Sequence, residues 1–459
     1  MRYEKYKEAE MPWINNIPSH WSQVRNGGLF DYHQDKVGAD FEKYQLLSLS
    51  VQGIKVKNIF DNSGKVPASY ENYQKVFSGD MVFCLFDLDC SAVFSGLSGS
   101  NGMITSAYDV MTPKSNIVNP KYLEYYFNSV FAGRYYKIFA KSVRYTINYD
   151  VFKALKSPVP PREEQDQIVR YLDWKVSRIN TLIHGYQRQI KLLEERRQTI
   201  INNAVVHGIL EAPRHRVKAA WMGNVPHDWS EMRMKNFFTE INERSVDGHE
   251  PHLSMSQKKG LVTDNENIER RLLSESYAGG KLCQKDDLVL NRLKAHLGVF
   301  ALAPQLGVIS PDYTVLRLNT SRVRPLYAEY LLKSIACRRE LRIRVRGIVE
   351  GFWRLYTEDL GSIYVCLPPL EEQDQILDYV QGQEQKYKFA IERIEKQISL
   401  LKEYRTRLIS DVVTGQIDVR NVSIPDYVPE DDMGKCEADE GWNDEEVATN
   451  ADEYERERL

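Results

Sequence analysis

Two long stretches of the chain carry apolar residues in alternating steps of four and three, with polar residues between them. The first covers residues 163–204, which contain no proline and one glycine and follow the pair Pro160-Pro161. Proline is favoured in the first turn of a helix, and the alternation is that of a heptad repeat. The pattern predicts a helix of about 42 residues, roughly 63 Å long.

The apolar residues of both stretches form one narrow stripe along each predicted helix, which we call the seam. Its members are Ile179, Ile183, Ile190, Leu193 and Ile200 in the first stretch and Ile391, Ile394, Ile398, Leu401 and Leu408 in the second. A narrow apolar stripe on so long a helix needs a partner. Two like helices pair most simply about a pseudo-two-fold axis, which predicts an antiparallel coiled coil. The seam could instead bind another protein.

Arg197 and Arg405 occupy the same seam position in the two predicted helices. A polar residue at such a position can fix the register of a coiled coil at some cost in stability. The alternative is that each guanidinium extends to solvent while its aliphatic stem packs on the seam.

Three separated blocks of sequence recur at a constant spacing of 208 residues. Residues 13–22 match 221–230, residues 160–168 match 368–376, and residues 190–197 match 398–405. One spacing shared by three blocks marks an internal duplication. The chain is therefore one unit of about 208 residues written twice.

Between these blocks the two copies diverge while keeping a similar layout. Short β-rich runs at residues 75–86 and 299–303 are separated by Gly, Asn, Asp and Ser, which is typical of compact mixed domains. The predicted fold class is α+β: two mixed α/β domains joined by two long antiparallel helices that form a coiled coil, with a pseudo-two-fold internal repeat. The predicted segments are 1–158, 159–208, 209–366, 367–417 and an acidic, disordered tail at 418–459.

Charge is distributed unevenly along the chain. Residues 429–459 hold 13 acidic and 3 basic residues, whereas residues 1–428 carry a net charge of +7. An acidic segment with few apolar residues is expected to stay disordered, and passive solubilisation is its simplest role. The basic remainder permits an anionic partner.

The composition indicates a cytoplasmic protein. Mean hydropathy is −0.48, and no run approaches the roughly 18 uninterrupted apolar residues of a membrane span. The charged N-terminus lacks the apolar region of a secretory signal. The six cysteines form no Cys-x-x-Cys pair, so neither zinc sites nor structural disulfides are expected.

Motifs that carry catalysis are missing from the sequence. There is no phosphate-binding loop, no His-Glu-x-x-His, no Gly-x-Ser-x-Gly elbow and no metal-spaced His/Cys cluster. The glycine-rich residues 96–102 have the wrong spacing for a nucleotide loop and are better interpreted as a surface turn. We therefore predict no catalytic residue, no metal site and no cofactor in this chain.

Basic and aromatic residues cluster just before each Pro-Pro helix, which suggests contact with nucleic acid. Six arginines fall within residues 338–354. Arginine and lysine can neutralise phosphates, and arginine can also read guanine. The predicted DNA-binding residues are Arg134, Lys137, Lys141, Arg144, Tyr145, Arg338, Arg339, Arg342, Arg344, Arg346 and Arg354, with Lys55, Lys57, Lys258 and Lys259 as weaker candidates. The alternative is a solvated helix face with salt bridges to Glu340 or Glu350.

This organisation resembles the specificity subunits of type I restriction–modification systems. The resemblance covers about residues 10–420 and rests on the Pro-x-x-Trp-Ser motif that opens each half and the Pro-Pro-x-Glu-Glu-Gln-Asp-Gln-Ile block that closes it. It implies that residues 1–158 and 209–366 are target recognition domains, each reading half of a split double-stranded DNA site. The helices would act as spacers that dock two methyltransferase subunits, which motor-nuclease subunits then join. S-adenosylmethionine, ATP and Mg²⁺ would be held by those partners.

A rigid spacer would fix the distance between the two half-sites. The first seam spans about 26 residues, roughly 39 Å, which suggests half-site centres on the order of one DNA turn apart. The rival interpretations are a coiled-coil scaffold whose globular ends bind proteins, and a self-sufficient DNA enzyme. Salt-dependent DNA binding would exclude the scaffold, and the missing motifs argue against the enzyme.

Overall fold

The computed structural model describes residues 2–50, 53–57, 69–140, 145–256, 260–263, 277–347 and 353–427. The chain divides into two units, Met1–Tyr186 with Lys396–Leu459, and Gln187–Glu395. This division passes through the middle of both long helices. Each unit therefore contains one globular domain, one half of the first helix and the opposite half of the second.

The first domain is a mixed structure of short strands and helices. Its strands are β1 (Tyr6–Glu8), β2 (Asn16–Pro18), β3 (Ser22–Arg25), β4 (Phe30–His33), β5 (Leu46–Ser50), β6 (Gly53–Lys57), β7 (Gln74–Val76), β8 (Met81–Phe83), β9 (Ser95–Leu97), β10 (Gly102–Ile104), β11 (Asp109–Pro113) and β12 (Lys156–Val159). Its α-helices are α1 (Asn26–Leu29), α2 (Pro120–Ala132) and α3 (Tyr149–Ala154), with 3₁₀ helices at Gly38–Lys43 and Tyr135–Phe139.

The first long helix, α4, spans Arg162–His207 and leads into a second domain built like the first. The strands of that domain are β13 (Arg214–Arg216), β14 (Asn224–Pro226), β15 (Ser230–Arg233), β16 (Phe238–Ile241), β17 (Leu253–Ser256), β18 (Gly260–Thr263), β19 (Lys281–Cys283), β20 (Leu288–Asn291), β21 (Phe300–Leu302), β22 (Gly307–Ile309), β23 (Tyr313–Leu318) and β24 (Tyr364–Leu367). Its helices are α5 (Pro325–Lys333), α6 (Ile335–Arg342) and α7 (Thr357–Ser362), with 3₁₀ helices at Ala220–Met222, Met234–Asn236 and Ala295–Leu297. The second long helix, α8, spans Leu370–Val413.

The two domains share strand register as well as strand order. In the first, β3 pairs with β12 so that Ser22 lies opposite Val159. In the second, β15 pairs with β24 so that Ser230 lies opposite Leu367, and both members of this pair stand 208 residues further on. The central sheets also correspond, with orders β4-β11-β8-β9 and β16-β23-β20-β21. The duplication inferred from sequence is therefore a duplication of the fold.

A second sheet distinguishes the two domains. In the first domain, β6-β5-β10-β7 form four strands joined by a parallel pairing between β5 and β10. In the second domain the corresponding strands form two separate pairs, β17-β18 and β19-β22. Among the described residues, an isolated parallel bridge between His252 and Val308 stands where the first domain has its parallel pairing.

Each domain has its own apolar core. In the first, aromatic rings pack edge to face, with the Phe83 centroid 5.2 Å from that of Phe127. In the second, Tyr327 and Leu331 of α5 are buried together with residues of both long helices, including Val205 of α4 and Ile376 of α8. The second domain is thus built onto both long helices through one continuous core.

The repeated Glu-Gln-Asp block joins each domain to its long helix. Gln165 is fully buried, donates to Pro160 O at 2.8 Å and accepts from Asn119 N at 2.7 Å. Gln373 repeats this arrangement, donating to Pro368 O at 2.9 Å and accepting from Arg324 N at 2.7 Å. These contacts explain why the block is present in both halves.

The carboxylate of the same block holds the tryptophan that opens each half. Glu164 accepts from Trp21 Nε1 at 3.0 Å and from Tyr3 Oη at 2.6 Å, and it lies 2.7 Å from His20 Nε2. Glu372 accepts from Trp229 Nε1 at 3.1 Å. The first junction is more extensive because a tyrosine and a histidine join it. Burial is the main cause that raises the pKa of the Tyr3 hydroxyl.

The C-terminal end of the other long helix completes each junction. Tyr122 Oη of the first domain donates to Val413 O of α8 at 3.2 Å, and Tyr327 Oη of the second donates to Val205 O of α4 at 2.7 Å. A glycine with positive φ follows each helix, Gly415 at 74° and Gly208 at 75°. A side chain at Gly415 would lie 2.3 Å from Pro18 Cδ, so glycine is needed for this close approach as well as for the turn.

The predicted seam residues differ in how deeply they are buried. Ile179, Ile183, Ile394, Ile398 and Leu408 are buried, whereas Ile190, Leu193, Ile200, Ile391 and Leu401 are half-buried. Ile201, the neighbour of Ile200, is also buried. A straight helix rotates by about 20° per heptad relative to an ideal seam, so the buried face shifts along the helix.

The two seam arginines have different surroundings. Arg405 Nη1 donates to Asn180 Oδ1 at 2.6 Å. Asn180 corresponds to Lys388 in the second half, 208 residues later. The position in the second half that corresponds to Asn180 therefore offers Arg197 no side-chain amide to accept a hydrogen bond. The Nε of Arg197 is buried without a hydrogen-bond partner among the described residues.

The beginning of the expected tail packs on the first unit. Gln167 Nε2 donates to Val419 O at 3.1 Å and to Val422 O at 2.9 Å, and Val419 is fully buried. The Arg420 guanidinium lies 5.0 Å from the centroid of Tyr3. Residues 418–427 are thus part of the folded unit, while residues 428–459 lie outside the described chain. No helix in the described ranges is long and apolar enough to cross a membrane.

Candidate nucleic-acid interface

A loop that follows the same strand in each domain organises the predicted basic cluster. In the first domain this is residues 84–94, between β8 and β9. Arg134 Nη1 donates to Leu88 O at 3.1 Å and to Ser91 O at 3.0 Å. Leu88 N donates in turn to Tyr145 O at 3.3 Å. Arg134 and Tyr145 therefore shape this loop, whichever other contacts they make.

The corresponding loop of the second domain, residues 292–299 between β20 and β21, is held in the same way. Arg338 Nη1 donates to Leu297 O at 3.4 Å. Leu355 N donates to Arg292 O at 3.1 Å, which ties the loop to the chain segment that precedes α7. In that segment Arg346 and Arg354 exchange backbone hydrogen bonds of 2.9 and 2.8 Å. The contacts bring Arg338, Arg346 and Arg354 to one region.

Two of the predicted arginines lie on the solvent-exposed side of α6. Arg339 and Arg342 occupy its last turn, and both are exposed. No ion pair involving either is present in the described part of the chain. These two side chains are the most suitable of the predicted set for contact with phosphate.

Two others form ion pairs within the domain, and one of these pairs, with Glu340, is among those that the alternative interpretation named. Arg344 donates from Nη2 to Glu340 Oε1 at 2.6 Å, four residues earlier. Arg346 pairs with Asp359 while remaining 70% exposed. Their charge is partly compensated, but Arg346 is still accessible to an anion.

The basic residues of the first domain are fewer among the described residues. Lys137 Nζ lies 4.1 Å from the ring centroid of Tyr145. Lys55 and Lys57 are on β6, where Lys55 is exposed and Lys57 half-buried. The aromatic residue Tyr136 from the same run belongs to the core, at 2% exposure. Four predicted residues lie outside the described ones: Lys141, Arg144, Lys258 and Lys259.

Three non-glycine residues of the first domain adopt left-handed backbone conformations close together. They are Asp87 at φ 52°, Arg134 at φ 53° and Tyr145 at φ 45°. Such conformations are uncommon outside glycine and cost free energy unless the surroundings enforce them. The hydrogen bonds from Arg134 and to Tyr145 supply that enforcement.

Arg292 and Lys294 belong to this region of the second domain, although the sequence pattern did not indicate them. They precede the arginine run by more than 40 residues. The contact between Leu355 N and Arg292 O brings them beside it. The duplication aligns β20 with β8, and Arg292 and Lys294 lie just after β20. The loop after β8 in the first domain is acidic and contains Asp87 and Asp89. This difference between the two copies was the signal that the sequence offered.

Comparison with known proteins shows similarity along nearly the whole chain. The sequence is 24% identical over 445 residues to a protein assigned as the putative MjaX type I restriction enzyme specificity subunit of Methanocaldococcus jannaschii, covering 91% of this chain and 97% of that protein. It is 21% identical to the MjaVIII specificity subunit of the same organism, covering 91% of this chain and 98% of that protein. The EcoKI specificity subunit of Escherichia coli is 26% identical over 267 residues, covering 54% of each chain.

Comparison with solved structures supports the same fold. A chain from a structure described as explaining complex assembly and conformational transition of a type I restriction–modification system superposes with a TM-score of 0.59 at 15% identity. The match covers 87% of this chain and 99% of that one. No protein-family model matches the sequence.

Proposed function

We infer that this chain is the DNA sequence-specificity subunit of a type I restriction–modification complex. The observation that carries the inference is that two domains with the same strand register present different basic faces. A common scaffold with different surfaces suits the recognition of two different sequences. Each half therefore recognises one half of an asymmetric, bipartite DNA site.

The two long helices act as the spacer between the half-sites and pair as an antiparallel coiled coil. Two sets of contacts support this arrangement. In the first unit, Asn180 near the middle of α4 bonds Arg405 near the end of α8. In the second unit, Val205 near the end of α4 shares a core with Ile376 near the start of α8.

The outer surface of the helices docks two methyltransferase subunits. Leu192 and Leu400 occupy equivalent positions and are 59% and 49% exposed. Exposed residues that are identical in the two copies surround them: Gln189 and Gln397, Glu195 and Glu403. Most other exposed positions nearby have diverged. Packing within the chain does not require an exposed leucine, so its retention in both copies supports binding of the same partner twice.

Chemistry in this assembly belongs to the partner subunits. The methyltransferase subunits use S-adenosylmethionine, and motor-nuclease subunits use ATP and Mg²⁺. This chain supplies sequence recognition and geometry, and it acts in the cytoplasm where the DNA is. It is not an enzyme by itself.

The purified chain is expected neither to methylate nor to cleave DNA. Incubation of the partner-free protein with DNA, S-adenosylmethionine, ATP and Mg²⁺ should give no labelled methyl groups and no breaks. Addition of the methyltransferase subunits should restore methylation. Activity in a homogeneous, partner-free preparation would contradict the assigned role.

DNA binding should weaken with salt, and the arginines on the outer side of α6 should contribute to that dependence. A protein that binds one phosphate fewer has a slope of log affinity against log salt that is smaller by about one. Arg339→Ala and Arg342→Ala should each have this effect without changing the preferred sequence. Titration of the assembled complex with labelled DNA at several salt concentrations measures it. A protein-binding scaffold would show no salt-dependent DNA binding at all.

A further inference from the structure

A charged cluster in the second domain lies where four strands meet. We call it the Arg292 cluster; it consists of Glu240 on β16, Lys281 on β19, Arg292 just after β20 and Thr314 on β23. Arg292 Nε donates to Thr314 Oγ1 at 2.6 Å, and its Nη2 lies 3.4 Å from Glu240 Oε1. Lys281 Nζ lies 3.8 Å from the same carboxylate oxygen.

These contacts orient the guanidinium of Arg292 and leave donors available. A guanidinium has five N–H donors, and two are used within the described chain. The side chain is 30% exposed. Since Nε is held by Thr314, the available donors are on the two terminal nitrogens, which form the fork of the group.

The cluster places like charges together at a cost in stability. The Lys281 side chain is only 4% exposed. Burial lowers the pKa of Lys281, and the neighbouring Arg292 lowers it further. Glu240 is shared between both cations, so its charge does not fully compensate either. Removing charges from water without full compensation destabilises a fold.

The first domain shows that the fold does not need these charges. The strand pairings place Tyr32, Gln74 and Leu85 at the positions of Glu240, Lys281 and Arg292, and Asp109 at that of Thr314. There, Tyr32 Oη donates to Asp109 Oδ1 at 3.1 Å. The corresponding positions therefore carry a tyrosine that donates to a carboxylate in one domain, and two cationic donors in the other. This is the pattern expected of positions that determine specificity.

The position of Arg292 agrees with such a role. Its carbonyl accepts from Leu355 N, next to Arg354, and Arg354 itself pairs through its backbone with Arg346. Lys294 lies on the same loop. Arg292 is therefore within the basic region proposed to face DNA, and it lies just after the end of a strand, β20.

We propose that Arg292 reads a guanine in the half-site of the second domain, with Thr314 and Glu240 as positioning residues. This rests on the proposed function and goes beyond it by naming the base and the residue. An arginine fork matches the O6 and N7 acceptors of guanine in the major groove. Because Thr314 and Glu240 hold the group beforehand, binding the base costs less conformational entropy.

The test uses the full chain assembled with its methyltransferase subunits and a randomised DNA library from which bound sequences are recovered. Arg292→Ala should relax the preference for one G·C pair in one half-site by on the order of 10- to 100-fold. All preferences in the other half-site should stay unchanged. Arg292→Lys keeps the charge but removes the fork, so it should relax the same position while retaining most of the affinity.

Two further variants separate this role from others. Thr314→Val should relax the same base pair partially, since it frees the guanidinium without removing it. Arg339→Ala is the matched control and should weaken binding to all sequences equally. If Arg292→Lys keeps the full preference at every position, or if Arg292→Ala weakens all sequences equally, Arg292 does not read a base. If the wild-type complex selects no bipartite sequence, the proposed function itself is wrong.

Discussion

A fragment that ends at residue 209 should form a homodimer and, with methyltransferase subunits supplied, direct methylation to an inverted repeat of the first half-site. In the full chain, α8 and the turn after it make three contacts with residues 1–186: Arg405 to Asn180, the Val413 carbonyl to Tyr122, and the turn at Gly415 beside Trp21. A second copy of the fragment can replace them with Arg197, Val205 and Gly208, which stand at corresponding places in α4 and the turn after it.

The second half provides the matched control. In a homodimer of residues 210–427, Arg405 of one copy would face Lys388 of the other. In the full chain Arg405 faces Asn180 at this place. Two cations facing each other in a partly buried seam repel, so this fragment should dimerise more weakly than the first. Lys388→Asn should then strengthen its association. Sedimentation equilibrium of both fragments measures this difference. A strictly monomeric first fragment would show that the two long helices are not interchangeable.

Replacing Glu164 by alanine should destabilise the first unit strongly. The substitution leaves Tyr3 Oη and Trp21 Nε1 without their acceptor in a buried site, and His20 loses its partner. Buried donors without acceptors cost about 1–3 kcal/mol each, so a decrease in the free energy of unfolding of about 2–5 kcal/mol is expected. Glu372→Ala in the second unit removes the acceptor of Trp229 Nε1 and should cost about 1–3 kcal/mol.

Hydrogen exchange followed by mass spectrometry distinguishes the two units in one experiment. Glu164→Ala should accelerate exchange in peptides from residues 1–158, whereas peptides from residues 209–366 should keep their protection. Glu372→Ala should show the reverse pattern with a smaller amplitude. Equal effects of the two substitutions would mean that the additional contacts of Tyr3 and His20 add nothing to the first junction.

The long helices could be predicted well from sequence because their signal is local. The apolar pattern predicts a helix over residues 163–204, and α4 spans Arg162–His207. The seam is predicted less well, since the heptad pattern selects Ile200 where Ile201 is buried. A strict repeat of seven does not follow the rotation of a straight helix. The duplication also predicts corresponding strand pairings, because aligned copies share one fold.

The basic face could be predicted only in part. The pairing of Arg344 with Glu340 spans four residues at the C-terminal end of α6, and the sequence does indicate it as an alternative. The pairing of Arg346 with Asp359 joins residues 13 apart, next to the bridge between Arg346 and Arg354, and no local pattern encodes it. Arg292 escapes sequence prediction for the same reason, since a backbone contact to Leu355 places it beside the arginines.

Each half of this chain is proposed to read one half of an asymmetric DNA site. Genome-wide mapping of methylated bases tests it directly, by comparing the natural host with a strain that lacks only this chain. We expect one class of modified sites to disappear, defined by two different short sequences separated by a gap of constant length and unspecified sequence. Disappearance of a symmetric or continuous motif, or no change in methylation while the partner subunits remain active, would contradict recognition of two different half-sites by this chain.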